Sequence, residues 1–228
     1  MNILAIDTVT QACSVALLTE TQRYQQARFE ANTHSAFVLG MVDGVLKEAA
    51  LSLADIDLIA VNNGPGSFTG IRIGVGVAQG LAYGANIPVL GINALAVLAA
   101  QSTESGSILS MIDARMGQVY WATFLARPAA ASSLDWQQRQ LHLTKPEEVM
   151  INGRVQDLSI IACGCDHYKN RFGFYAQDMQ ADFDAYPLAT ELALLAASVN
   201  ASEYQSADAL TPVYLRNDVA SVSRKKRL

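Results

Sequence analysis

The sequence predicts an α/β protein made of two tandem subdomains, each a mixed sheet flanked by helices. Three observations predict it. Short apolar runs alternate with longer helical patterns, which implies crossover connections and a partly parallel sheet. The order apolar strand, aspartate, turn, apolar strand occurs twice, as NILAIDTVTQACSVALL at 2–18 and SILSMIDARMGQVYWATFL at 107–125, with Asp7 and Asp113 in matching places. Finally, 51% hydrophobic and 16% charged residues in a chain of 228 suit a compact, well-buried fold rather than a disordered one.

Residues 2–7 and 12–18 read as two strands joined by a turn at 8–11, and residues 23–30 as a third, more exposed strand. A helix follows, with Ser35 as its cap. Val38, Met41, Val42, Val45, Leu46 and Ala49 recur at helical spacing as one buried face, with Phe37, Gly40 and Gly44 on a neighbouring face. Residues 56–61 form a short, nearly continuous apolar strand, residues 88–92 another, and residues 94–101 an apolar helix. The polar, small stretch 102–106 marks the boundary between subdomains at 1–103 and 104–228. Beyond the second hairpin, residues 129–138 read as a variable loop, 145–150 as a short helix, 158–163 as a strand and 188–199 as an apolar helix.

The stretch NNGPGSFTGIRIGVGVAQGLAYGA, residues 62–85, is the one that composition cannot explain. It begins as a turn, with Ser67 or Thr69 as N-cap, and continues as a helix carrying Gly70, Gly74, Gly76, Gly80 and Gly84. Glycine inside a helix costs roughly 0.5–1 kcal/mol against alanine, so the set costs about 3–5 kcal/mol. Two bare strips account for that cost: Gly76, Gly80 and Gly84 on one side, and Gly74, Ala78, Ala82 and Ala85 on another. One strip should meet this chain's own sheet or helix, and the other is free for a second protein. The turn also offers backbone N–H groups to an anion, but it carries neither GxxxxGK[ST] nor GxGxxG, and Arg72 is its only charge.

The net charge of −5 and pI near 5.1 give no general attraction to nucleic acid. The basic cluster Arg224, Lys225, Lys226 and Arg227 reads as a solvated tail or as a foot on RNA. Cys13, Cys163 and Cys165 lie in apolar, strand-like surroundings, as reduced thiols of a cytoplasmic protein do. MNILAIDT has no basic leader and carries Asp7 inside its apolar run, unlike a signal peptide. The uncharged run 73–103 is split by Gly84, Asn86 and Pro88, so no membrane span is expected.

Chemistry has few candidates. His34, His142 and His167 have no spacing that pairs two as metal ligands, and Ser67 in GPGSF is not a G-x-S-x-G elbow. Asp7 and Asp113 read either as ligands of a magnesium–nucleotide complex or as turn caps at strand ends. That leaves an autonomous nucleotide-dependent ATPase, or a peptidase-like enzyme, as the alternative to a binding protein.

The duplicated layout with an aspartate after each first strand resembles the actin-like and ribonuclease H-like (ASKHA) superfamily, in whose active members those aspartates face a nucleotide and its metal. More specifically, ILAIDT with ACSVAL, GPGSFTGIRIGVGVAQGLA, PVLGI, IDARMGQVYWA and PVYLRN resemble the TsaB (YeaZ) family of the tRNA threonylcarbamoyladenosine pathway. The resemblance implies a non-catalytic subunit. Its partners would be a larger catalytic homologue of the TsaD type and a small ATPase of the TsaE type, with tRNA met only through the complex. ATP and a metal ion would sit on the partner subunits, and no cofactor on this chain alone. The catalytic homologue carries HxxxH just after its version of PVLGI, where this chain has Ala94 and Leu98. The resemblance also implies that the two helices pair with their counterparts, with Phe37, Gly40, Met41, Gly44, Gly70, Gly74, Gly76, Gly80 and Gly84 as contact candidates, and that a homodimer forms through the same face when the partner is absent. Asp7 and Asp113 would then be a vestigial nucleotide site.

Overall fold

The computed structural model describes residues 1–30, 33–104, 106–126, 135–136, 140–151, 158–175 and 179–216. The tail at 224–227 and most of the expected loop at 129–138 lie outside them. Two five-stranded mixed sheets form the frame. The first runs β3-β2-β1-β4-β5, from β1 (Ile3–Asp7), β2 (Cys13–Leu18), β3 (Arg23–Arg28), β4 (Leu58–Asn62) and β5 (Val89–Ile92). The second runs β10-β9-β6-β7-β8, from β6 (Gly106–Asp113), β7 (Val119–Ala126), β8 (His142–Thr144), β9 (Leu158–Cys163) and β10 (Ala181–Asp182). The order is the same in both, and in both the first hairpin is antiparallel while the fourth strand lies parallel to the first. This is the duplicated ASKHA layout.

Every residue of β1 and β4 is buried, so both faces of the first sheet are covered. The coverings are α1 (His34–Glu48), α2 (Phe68–Ala85) and α4 (Ala189–Ala197). Ser14, opposite Asp7 in the register, accepts from the Ala189 N–H of α4 at 2.9 Å. Thr8, the next residue after Asp7, donates to the Gly70 carbonyl of α2 at 2.7 Å. Successive residues point to opposite faces, which puts α4 and α2 on opposite sides of the sheet. Meanwhile α3 (Ala94–Ala99), which follows the first sheet in sequence, packs on β6, β7 and β9. Each sheet thus receives a helix from the other half, and one hydrophobic core spans both.

Helix boundaries differ from expectation in two places. The N-cap of α1 is Thr33, not Ser35, and it makes no side-chain capping bond. Residues Pro146–Glu148 form a single 3₁₀ turn rather than a helix, with Pro146 at its first position. A further 3₁₀ segment at Asp166–Arg171 and the two-residue β10 lack any sequence pattern long enough to announce them. Ser67 caps α2 as expected, accepting from the Gly70 N–H at 3.3 Å. At the end of α1, Ala50 takes a left-handed conformation (φ 54°), and the Leu51 N–H returns to the Leu46 carbonyl at 3.0 Å.

Candidate functional site

The five glycines of α2 divide into two groups with opposite surroundings. Gly70 and Gly74 are buried against the turn after β1. A methyl group on Gly70 would overlap the Thr8 carbonyl oxygen, and one on Gly74 would stand 2.5 Å from the Thr8 hydroxyl oxygen. Their smallness lets the helix touch backbone, so these two candidates face inward rather than outward. At Gly76, Gly80 and Gly84 a methyl group would meet nothing within 4 Å, and all three are exposed. Nothing among the described residues needs those three to be small.

On α1, which packs beside α2, Gly40 is likewise bare and exposed. Gly44 faces the Gln26 side chain of β3. Phe37 is half-buried beneath the Arg28 guanidinium, 4.4 Å from its ring centroid. Met41 is 4% exposed, with its sulfur 3.9 Å from the Cys13 thiol, so it belongs to the core and not to the outer face. Sequence reasoning missed Leu39 (54% exposed), Phe68 (41%) and Tyr83 (86%), which flank the bare positions. One signal could have found Phe68: with Arg72 it extends the line 76, 80, 84 backwards at i, i+4 spacing.

The two subdomains meet at a cleft of about 320 Å³. Thr10, Gly66 and Ser67 line one wall, and Asp113, Arg115, Tyr120, Cys163 and His167 line the other. Asp7 is fully buried, and both its carboxyl oxygens are engaged, one by the Val9 N–H at 3.2 Å and one by the Asn62 amide at 2.6 Å. Burial pushes its pKa up to about 7 against those two hydrogen bonds, with a smaller upward push from Glu191. Asp113 accepts from the Arg115 N–H at 2.8 Å and from the Tyr168 hydroxyl at 3.2 Å, and its carboxylate lies 3.4 Å from the Arg115 guanidinium. Both aspartates bind the N–H two residues on, the turn-capping arrangement. Of the pair, only Asp113 lines the cleft, with Arg115 beside it as its ion-pair partner. Burial raises the Cys163 thiol to about 12, as expected of a packed rather than reactive cysteine.

Ala94 and Leu98 are fully buried in α3 and offer no donor atom. Among the described residues, no three His, Cys, Asp or Glu side chains are grouped to hold a metal ion, and no helix is long and apolar enough to cross a membrane.

Residues 205–216 form a strap across the first half of the chain. Gln205 bridges to Val89, and Gln79 of α2 donates to the Ala207 and Leu210 carbonyls at 3.0 and 3.1 Å. The Val213 N–H then donates to the Asn63 carbonyl at 2.7 Å. Arg216 ends the strap by donating to the Ala114 carbonyl at 3.2 Å and the Gln118 side chain at 2.7 Å, on the hairpin joining β6 and β7. That hairpin turns through three successive left-handed residues, Arg115, Met116 and Gly117, with the Gln118 N–H donating to the Arg115 carbonyl at 3.2 Å.

Residues 25–223 match the model of the family described as TsaD, tRNA N6-adenosine threonylcarbamoyltransferase. The chain is 34% identical to the tRNA threonylcarbamoyladenosine biosynthesis protein TsaB of Escherichia coli, covering 96% of each. It is 32% identical to the TsaB of Haemophilus influenzae, covering 96% of this chain and 95% of that one. Among solved structures it resembles YeaZ from Pseudomonas aeruginosa at a TM-score of 0.84 and 34% identity, covering 94% of this chain and 99% of the other.

Proposed function

The chain belongs to the TsaB (YeaZ) family of tRNA threonylcarbamoyladenosine biosynthesis, and from that premise we propose that it is the non-catalytic scaffold of a tRNA-modifying assembly. In this reading it docks on a catalytic homologue of the TsaD type through the outer faces of α1 and α2. It thereby supports threonylcarbamoyl transfer to the adenosine beside the anticodon, and it helps recruit a small ATPase of the TsaE type. In the partner's absence the same face pairs two copies of the chain.

The observation that carries the proposal is the bare strip of Gly76, Gly80 and Gly84, an exposed helix surface whose cost has no return among the described residues. Glycine there lets a second helix approach backbone to backbone, which a methyl group would hinder. The second support is chemical: Ala94 and Leu98, which the resemblance matches to the catalytic homologue's HxxxH, are buried apolar side chains. ATP and metal are therefore assigned to the partner subunits.

The test is pairing. Gly80→Phe fills the strip from outside, and the variant should melt near the wild type while losing the complex with the TsaD-type subunit in analytical ultracentrifugation. A folded Gly80→Phe chain that pairs with unchanged affinity would place the interface elsewhere.

A further inference from the structure

We propose that Arg72 is the charge-selective end of the docking face and takes a carboxylate of the partner protein. The inference rests on the reading above, and it extends that reading from shape to charge.

Arg72 is the only charged residue in the 18 residues of α2. It lies on the same i, i+4 line as Gly76, Gly80 and Gly84, so a helix lying in that trough runs toward it. Its side chain is held in place before any partner arrives. The guanidinium carbon lies 3.7 Å from the Phe68 ring centroid and 6.0 Å from that of Tyr214, and its Nε donates to the Tyr214 hydroxyl at 3.0 Å. The two rings are 5.5 Å apart and tilted by 34°, and both remain about two-fifths exposed. Tyr214 is itself fixed, because the strap is anchored on both sides of it, by Val213 at Asn63 and by Arg216 at the second hairpin.

What the cluster lacks is an anion. Among the described residues no carboxylate pairs with Arg72, whereas Lys47, Arg115, Lys169 and Arg171 each have one. An arginine normally loses rotamer freedom when it is fixed by a partner, and here stacking and the tyrosine hydroxyl have already fixed it. Its terminal N–H groups remain for a planar, two-oxygen acceptor. A protein carboxylate fits better than an RNA phosphate. The trough beside Arg72 is bare and apolar, the cation stands alone on its helix, and a chain of net charge −5 repels a polyanion.

The experiment measures the dissociation constant of the full chain with its TsaD-type subunit by calorimetry, at low and high salt, for four variants checked by thermal melting. Arg72→Gln should weaken the pair on the order of 30-fold and flatten its salt dependence. Arg72→Lys keeps the charge but loses the fork and the stack, and should fall between it and the wild type. Tyr214→Phe frees the guanidinium and should weaken the pair by about 3- to 10-fold. Gly80→Phe probes the docking face itself. If Gly80→Phe breaks the pair while Arg72→Gln leaves affinity and salt dependence unchanged, the charge assignment is wrong and the docking face stands. If Gly80→Phe leaves the pair intact, the docking reading itself fails. If Arg72→Gln spares the pair but costs the assembled complex its affinity for tRNA, the ligand is a phosphate and the proposal is overturned.

Discussion

Gly70 and Gly74 sit within one helix with Gly76, Gly80 and Gly84, yet the two groups answer to different neighbours. The first pair is pressed against the backbone and hydroxyl of Thr8, and the other three face open space. The comparison teaches that a glycine's burial, not its presence in a helix, tells whether its cost is recovered by folding or is left for association. Both groups incur the same propensity penalty, about 0.5–1 kcal/mol per residue against alanine. Only the inward pair repays it inside this chain.

Substitution sharpens the contrast in opposite directions. Gly70→Val forces a branched side chain into the Thr8 carbonyl and should cost about 3 kcal/mol or more in a urea melt, because backbone cannot yield as a side-chain tip can. The outer group should do the reverse. Replacing Gly76, Gly80 and Gly84 together by alanine should raise the stability of the isolated chain by about 2 kcal/mol while weakening its pairing. A triple variant that melts no higher than the wild type, or pairs as tightly, would erase the distinction between the two groups.

The two aspartates make a parallel comparison, one sealed and one at the cleft. The folded chain holds the Asp7 proton up to about pH 7, whereas an unfolded carboxyl releases it near the ordinary 3.8. Between those values the native state binds more protons than the unfolded one. Stability therefore falls as pH rises through that window, by at most about 1.4 kcal/mol per pH unit for one proton, and levels off above it. Asp7→Asn should flatten that slope in melts across pH 4–8, and an unchanged slope would show that another group carries it. The smallest effect belongs to the end of α1. Ala50→Gly relieves a left-handed alanine at an exposed position and should add about 0.5–1 kcal/mol.

The succession of strands and helices was legible because alternating apolar runs leave a strong periodic trace, and the duplicated aspartate hairpin marked the first two strands of each sheet. The direction in which a glycine faces was not fully legible. Spacing at 100° per residue separates two strips but does not say which one meets the sheet, and the contact candidates taken from the resemblance included Gly70, Gly74 and Met41, which face inward. Phe68, Arg72 and Tyr214 were missed for a different reason. Their association spans 142 residues of sequence between Arg72 and Tyr214 and depends on a strap held largely by backbone carbonyls, which leave no pattern in side-chain composition.

Whether the outer helix face makes the chain a scaffold is decided by threonylcarbamoyladenosine yield on unmodified tRNA. Purified TsaD-type and TsaE-type subunits would be supplied with wild-type chain, with folded Gly80→Phe, or without it, and the chain would also be assayed alone. Product should form only where the wild-type chain and its catalytic homologue are both present. Full yield with Gly80→Phe or without the chain, or turnover by the chain alone, would contradict the scaffold reading.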